Sequence, residues 1–126
     1  MDTDNLFQRD SFILHSGGIS DFKIDCDALT DEDIETIAYL ISKQVRFKDV
    51  VGVPSGGLRL EKALEQYMSE RGCHLIADDV LTTGGSMEAM KKELYGENAI
   101  GIKGVVIFAR NKYPDWIRPV FKMWED

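Results

Sequence analysis

Two neighbouring acidic residues, Asp78 and Asp79, end an apolar run and are followed at once by a segment rich in Thr, Gly and Ser. Adjacent carboxylates repel each other and paired glycines give up backbone order, so a purely structural reason for this arrangement is weak. Two carboxylates can accept hydrogen bonds from vicinal ribose hydroxyls, directly or through a divalent cation. The amides at a helix start can hold a phosphate. The predicted phosphate-binding residues are Thr82, Thr83, Gly84, Gly85 and Ser86.

A second glycine pair lies in VPSGGL, residues 53–58, which also follows an apolar run and precedes a helical pattern. Ligands of open parallel sheets collect where strands end and helices begin, so this turn is a second candidate anion site. A simpler interpretation stays open, in which the acidic pair and its turn form an Asx-type turn and helix cap without a ligand. Neither GxxxxGK[ST] nor GxGxxG occurs, which disfavours a P-loop. The residues of the second candidate site are Pro54, Ser55, Gly56 and Gly57.

The spacing of apolar residues predicts three helices that position these turns. A helix over residues 31–45 begins with a capping box, Thr30 with Asp33. A second runs from residue 58 to a C′ glycine, Gly72, and a third runs from Ser86 to Gly96. The third helix carries an apolar stripe that we interpret as core packing, formed by Met87, Met90 and Leu94.

Short runs of β-branched and aromatic residues predict the strands. Continuous rather than alternating apolar runs are typical of a parallel sheet that is covered on both faces. We therefore expect an α/β fold, an open and mainly parallel sheet with helices on both faces, in one domain over 1–126 with an N-terminal hairpin or arm (1–28) and a core (29–126). The predicted strands are residues 12–15, 22–26, 49–54, 73–79, 100–109 and, as an edge strand, 119–124.

Composition excludes several function classes. The formal net charge is -7 and no Lys/Arg cluster occurs, so neither nucleic acid nor an acidic membrane surface is an expected partner. Cys26 and Cys73 have no metal-ligand spacing, and no apolar run reaches the length of a membrane span, so we expect a cytoplasmic protein. An acidic protein that binds a polyphosphate needs backbone amides, a few placed cations or a divalent metal to compensate the charge.

The segment LIADDVLTTGGS, residues 75–86, closely resembles the phosphoribosyl pyrophosphate (PRPP) signature of type I phosphoribosyltransferases. VGVPSGG, residues 51–57, resembles the pyrophosphate loop of that family. FILHSGGISDFKIDCD, residues 12–27, is similar to the opening of orotate phosphoribosyltransferases. The resemblance implies a pentosyl-type glycosyltransferase that moves ribosyl 5-phosphate from PRPP to a nucleobase, with orotate or another pyrimidine as candidate acceptors, with Mg²⁺ and in a homodimer.

By the same resemblance, Asp78 and Asp79 bind the ribose hydroxyls and, directly or indirectly, the metal, while residues 82–86 hold the 5′-phosphate and residues 54–57 hold the diphosphate. An aromatic ring can stack on a nucleobase or cover a sheet edge, and a cation can face the diphosphate or solvent. His74 lies in an apolar strand and fits the edge of the core better than a catalytic base. The candidates for base binding are Phe22, Lys23 and Trp116, and the candidate cations are His15, Lys23, Arg59 and Arg110.

One departure from the orotate enzymes concerns the lid. Those enzymes carry a mobile basic loop between the second helix and the signature strand, whereas the prediction here leaves Gly72 alone between these elements. No lid residue can therefore be assigned. His15, and Asp21 with Phe22, also depart from the usual orotate pattern. A non-catalytic PRPP or nucleotide sensor and a purely structural interaction domain remain the alternatives.

Overall fold

The computed structural model describes the backbone of residues 7–13, 19–24 and 26–122, and side chains over 26–122. Six strands and three α-helices alternate along these residues, with short 3-10 helices at Cys26–Ala28 and Glu65–Tyr67. None of the helices in these ranges is long and apolar enough to cross a membrane. In chain order the elements are β1 (Phe7–Ile13), β2 (Ile19–Ile24), α1 (Asp31–Gln44), β3 (Phe47–Gly52), α2 (Leu58–Leu64), β4 (Cys73–Leu81), α3 (Gly85–Tyr95), β5 (Ile102–Ala109) and β6 (Ile117–Lys122).

The first two strands form the predicted N-terminal hairpin. β1 and β2 pair antiparallel from Phe7 opposite Ile24 to Ile13 opposite Ile19, with a register shift between Arg9 and Phe12. Both strands begin earlier than their predicted starts at residues 12 and 22. The predicted strand positions 14, 15 and 25 lie outside the described residues.

The other four strands form one parallel sheet in the order β3-β4-β5-β6. On one face, Leu75 and Ala77 of β4 belong to a core cluster with the buried residues of α1 and α2. On the other face, Ile76 packs in a second cluster with Met87 of α3. The prediction of a parallel sheet with helices on both faces is confirmed. β6 is an edge strand and contains Pro119. Proline has no amide proton for a ladder hydrogen bond, so it is expected in an edge strand.

The capping box of α1 is formed as predicted. The amide of Asp33 donates to Oγ1 of Thr30 at 3.1 Å, and the amide of Thr30 donates to Oδ2 of Asp33 at 2.8 Å. These bonds satisfy two donors that a helix start otherwise leaves unpaired. The helix therefore begins at Asp31, where its sequence pattern places it.

The prediction for α2 was wrong at its C-terminus. The helix ends at Leu64 and continues only as the 3-10 helix that ends at Tyr67. The next residues bind the strand β3 instead, because the amide of Ser69 donates to the carbonyl of Phe47 at 2.9 Å. Gly72 is no helix cap: its φ is +127°, and a methyl group there would overlap the carbonyl of Arg46. Residues 68–72, rather than Gly72 alone, join α2 and its 3-10 turn to β4.

The helix α3 ends at Tyr95 with Gly96 as its cap, at a φ of 86°, so the predicted glycine stop is confirmed. Its apolar stripe was predicted correctly for Met87, which is buried, but wrongly for Leu94, which is 50% exposed. β5 begins at Ile102 rather than residue 100, because Ile100 is 91% exposed in the preceding loop. These differences leave the positions of the two glycine turns unchanged.

Candidate active site

The two glycine turns follow neighbouring parallel strands and lie at the carboxyl end of the sheet. The parallel strands β3 and β4 are neighbours, with Gly52 in register with Ala77. Beyond this point the first turn crosses over β4, and a methyl group on Gly56 would overlap the carboxylate of Asp79. The structure thus places the backbone of the VPSGGL turn directly against Asp79, the second residue of the acidic pair.

Backbone hydrogen bonds fix the first turn on the sheet. The amide of Val53 donates to the carbonyl of Ala77 at 2.8 Å, and the amide of Gly57 donates back to Val53 at 2.8 Å. The Pro54–Ser55 peptide bond is cis. Within the described ranges the amides of Ser55 and Gly56 donate no hydrogen bond, and both residues are exposed. These two amides are therefore available to an anion.

Glu61, which the sequence prediction did not include, closes the base of this turn. Its carboxylate accepts a hydrogen bond from the amide of Gly52 at 2.8 Å, and its own amide donates to the carbonyl of Gly57 at 3.0 Å. The side chain therefore joins the end of β3 to the first turn of α2. Its position four residues after Gly57 is the only sequence signal for this role, since the acceptor function depends on the fold.

The acidic pair lies inside β4 and not at its last two positions as predicted, because the strand continues to Leu81. The carboxylate of Asp78 accepts from the amide of Asp79 at 2.8 Å, and that of Asp79 accepts from the amide of Val80 at 2.7 Å. Burial is the main cause that raises the pKa of Asp78 to about 8, and the hydrogen bond and charge of the Asp79 side chain add to it. The unliganded pair therefore holds a proton near neutral pH.

The second turn and the start of α3 form a cup of free amides. Gly84 precedes the helix with a φ of 82°, which a glycine adopts without strain. The amide of Gly85 donates to Oγ1 of Thr83 at 3.3 Å, whereas the amides of Thr83, Gly84, Ser86 and Met87 donate to no other described residue. Unpaired amides at a helix start, together with the helix dipole, favour an anion. The predicted phosphate residues are thus brought together around one such position.

Trp116 is separated from this arrangement. Its Nε1 donates to the Glu88 carboxylate at 2.7 Å, and the ammonium of Lys91 lies 4.4 Å from its ring centre. The ring also packs over Gly104, where a methyl group would overlap it. These contacts fit a ring that covers the sheet, and they leave it poorly placed to stack on a base. Phe22 and Lys23 lie on β2, and their side chains, like the whole of His15, are outside the described residues.

Of the candidate cations, Arg59 is engaged by the protein. Its guanidinium donates to the carbonyls of Cys26 and Leu29 and pairs with Asp31. Arg110 follows β5 next to the site, where its amide donates to the carbonyl of Leu81 at 3.0 Å. His74 lies at the opposite end of β4, where its Nδ1 is 2.8 Å from the Asp49 carboxylate and its ring stacks on Tyr95. The expectation of a histidine at the edge of the core agrees with this placement.

The carboxylates of the site suit a metal ion that binds together with a phosphate-containing ligand. Among the described residues no group of three or more His, Cys, Asp or Glu side chains could hold an ion by itself. Mg²⁺ in proteins is commonly held by one or two carboxylates together with phosphate oxygens of the substrate and water. Asp79 lies against the first turn and Asp78 is its neighbour in β4, so the two carboxylates fit a Mg²⁺ that binds together with phosphate oxygens of a ligand.

Comparison with known proteins shows the fold. No protein-family model matches the sequence, and no curated protein matches it. Among solved structures, an orotate phosphoribosyltransferase from Aeropyrum pernix superposes with a TM-score of 0.73 at 23% identity, over 94% of this chain and 89% of that chain. A purine phosphoribosyltransferase from Pyrococcus horikoshii gives a TM-score of 0.58 at 20% identity, over 78% of this chain and 92% of the other.

A third similar structure is a hypothetical protein from Neisseria gonorrhoeae with bound ppGpp. Its TM-score is 0.58 at 14% identity, over 76% of this chain and 83% of that chain. The superposition with the Aeropyrum pernix structure covers nearly the whole of both chains. The chain therefore has the fold of the type I phosphoribosyltransferases, and in structure it resembles the orotate enzymes of that group.

Proposed function

We propose that this protein binds PRPP with Mg²⁺ and transfers its ribosyl 5-phosphate group to a nucleobase, with release of pyrophosphate. The observation that carries the proposal is the contact between Gly56 and the Asp79 carboxylate, with the α3 amide cup a few residues further along the chain. The carboxyl end of the sheet thus offers free amides, two carboxylates and a second set of free amides. These match the diphosphate, the ribose hydroxyls and the 5′-phosphate of PRPP.

In the proposed reaction the bond from C1 of the ribose to the diphosphate oxygen breaks, and C1 forms a bond to a ring nitrogen of the base, which loses its proton. The sugar becomes cation-like in the transition state, so an ionised carboxylate beside it is favourable. Asp79 and its neighbour hold the ribose hydroxyls, and the amides of Ser55 and Gly56 hold the departing diphosphate. Mg²⁺, when bound, supplies further charge neutralisation to the leaving group.

The short connection at residues 68–72 bears on the rate of this reaction. It occupies the place where the orotate enzymes carry their lid, and it is held to β3 by the bond between Ser69 and Phe47. A site without a lid excludes water poorly, and loss of one well-placed transition-state donor costs roughly 3 kcal/mol. We therefore propose slow turnover, with diphosphate binding carried by backbone amides.

Titration calorimetry with PRPP and Mg²⁺ tests the proposal. We expect binding at or below about millimolar ligand, corresponding to at least roughly 4 kcal/mol. Asp79→Asn should weaken PRPP much more than inorganic phosphate, because only PRPP presents ribose hydroxyls to this residue. Asp115→Asn, which changes an exposed carboxylate outside the two turns, is the matched control. No binding by the wild type, or equal weakening of both ligands, would contradict the proposal.

A second candidate function is a sensor that binds a nucleotide or PRPP at this site and catalyses no reaction. Two observations favour it: the short connection in place of a lid, and the similar structure that holds ppGpp. Incubation of the protein with PRPP, Mg²⁺ and a panel of nucleobases separates the two functions. Nucleotide formation supports the transferase, whereas tight binding of PRPP or ppGpp with no product supports the sensor.

We also propose that the protein forms a homodimer. The resemblance to orotate phosphoribosyltransferases supports this, as does β6, which has no strand on its outer side among the described residues and whose Phe121 is 46% exposed. An unpaired edge with an exposed aromatic residue gains from being covered. Light scattering with size-exclusion chromatography measures the mass, and a monomer at micromolar concentration would contradict the proposal.

A further inference from the structure

The side chain of Asn111, which lies outside the predicted site, contacts the main chain of the amide cup (residues 82–86). Its Nδ2 donates to the carbonyl of Thr82 at 3.1 Å. The sheet brings these two residues together: β4 and β5 pair in parallel up to Leu81 opposite Ala109, and the amide of Arg110 donates to the carbonyl of Leu81 at 3.0 Å. The Asn111 side chain is therefore held at the carboxyl end of the sheet, against the first residue of the cup.

The bond to Thr82 sets the orientation of the peptide unit between Thr82 and Thr83. A peptide is planar and trans, so the carbonyl of one residue and the N–H of the next point in opposite directions. The carbonyl of Thr82 is directed at the amide group of Asn111, and the N–H of Thr83 is therefore directed away from it. That N–H donates to no other described residue. The bond from Asn111 thus fixes the direction of a main-chain donor that the described part of the protein leaves free.

This peptide unit depends on Asn111 for its orientation. Among the described residues no other donor reaches the carbonyl of Thr82. Without that bond the peptide can turn over, and the carbonyl oxygen then takes the place of the N–H. A carbonyl oxygen repels a phosphate, whereas an N–H binds it. The contact therefore bears on the affinity of the cup for an anion.

The same contact contributes little to the stability of the fold. Asn111 is exposed, and a substitution at an exposed position usually changes the free energy of unfolding only slightly. The side chain is also neutral, so its removal takes no charge away from the anion position. A variant of Asn111 should therefore fold normally and report on the cup.

We propose that Asn111 is a positioning residue for the 5′-phosphate: it holds the peptide between Thr82 and Thr83 so that the amide of Thr83 donates to the phosphate. This inference rests on the proposed function, because it concerns the phosphate end of that same site. The diphosphate turn has its own anchor, the bond from the amide of Val53 to the carbonyl of Ala77. Asn111 is therefore expected to act on the 5′-phosphate and not on the diphosphate.

Calorimetry with two ligands that share the 5′-phosphate tests the inference. Ribose 5-phosphate, and PRPP with Mg²⁺, are titrated into the wild type, Asn111→Ala and, as matched control, Asn98→Ala, which changes an exposed asparagine after the end of α3. We expect Asn111→Ala to weaken both ligands by the same factor, about fivefold, as for the loss of one hydrogen bond. Asn98→Ala should bind both as the wild type does. Urea unfolding should give the same midpoint for all three proteins.

Two binding results would overturn the inference. One is an affinity for ribose 5-phosphate that is equal in the wild type and Asn111→Ala. The other is a loss confined to PRPP, since that would assign Asn111 to the diphosphate.

Residual dipolar couplings of the unliganded protein separate this inference from the proposed function, because the coupling of an amide reports the direction of its N–H bond. In Asn111→Ala the coupling of Thr83 should change, while that of Val80 in β4 stays as in the wild type. If the wild type binds neither ligand, the proposed function fails, and the couplings still decide whether Asn111 orients this amide. An unchanged coupling of Thr83 would overturn the inference independently of any ligand.

Discussion

The raised pKa of Asp78 makes the stability of the free protein depend on pH in a definite direction. The folded state holds a proton on this carboxyl up to about pH 8, whereas an unfolded aspartate loses it near 3.8. Between these values the folded state binds more protons than the unfolded state, so its stability falls as pH rises. The contribution is fully present below about pH 4 and is lost by about pH 8.

The size of the effect follows from the same pKa difference. Each pH unit in that window costs at most about 1.4 kcal/mol, so the whole difference is on the order of 5 kcal/mol. We therefore expect a slope of about 1 kcal/mol per pH unit across this window. This is large beside the total stability of a domain of this size, roughly 5–15 kcal/mol.

Asp78→Asn isolates the effect, because asparagine keeps the shape of the side chain and does not titrate. Urea unfolding followed by circular dichroism at several values between about pH 5 and pH 7.5 gives the free energy of unfolding for wild type and variant. We expect the variant to gain about 1 kcal/mol relative to the wild type with each pH unit. Asp115→Asn, at an exposed position, should run parallel to the wild type. A constant difference between wild type and Asp78→Asn would refute the reasoning.

Three further changes test the site and the fold. Gly56→Ala should weaken PRPP at least about tenfold, because its methyl group overlaps the Asp79 carboxylate, whereas a methyl at Gly85 meets only an ordinary contact and calorimetry should find a smaller loss. Glu61→Leu should destabilise the protein by about 1–3 kcal/mol in urea unfolding, since it leaves the partly buried amide of Gly52 unpaired. Thr30→Ala should cost about 1 kcal/mol in the same assay, through loss of the helix cap.

The features that sequence reasoning predicted are those with local causes. The capping box at Thr30 and the glycine stop at Gly96 depend on residues close in the chain, and both are found where they were predicted. The α/β order was also predictable, because continuous apolar runs alternate with helical spacing. Both glycine turns likewise occur at strand-to-helix junctions of the sheet.

The features that were missed depend on contacts between distant segments. The end of α2 is set by the bond from Ser69 to Phe47, which no helical periodicity reports. The role of Glu61 depends on the amide of Gly52, and that of Arg59 on the carbonyl of Leu29. The fold brings each of these distant backbone groups to the side chain. Trp116 was a candidate for base stacking until its contacts with Glu88 and Lys91 were known. In each case the residue type was visible and its partner was not.

The acidic pair lies within the strand β4 and not on a loop, so the fold itself orients both carboxylates. Each carboxylate is oriented by the amide of the residue that follows it, in a strand bounded by β3 and β5. For the proposed sugar site this means that both carboxylates are oriented before a ligand binds, so little ordering entropy would be lost on binding.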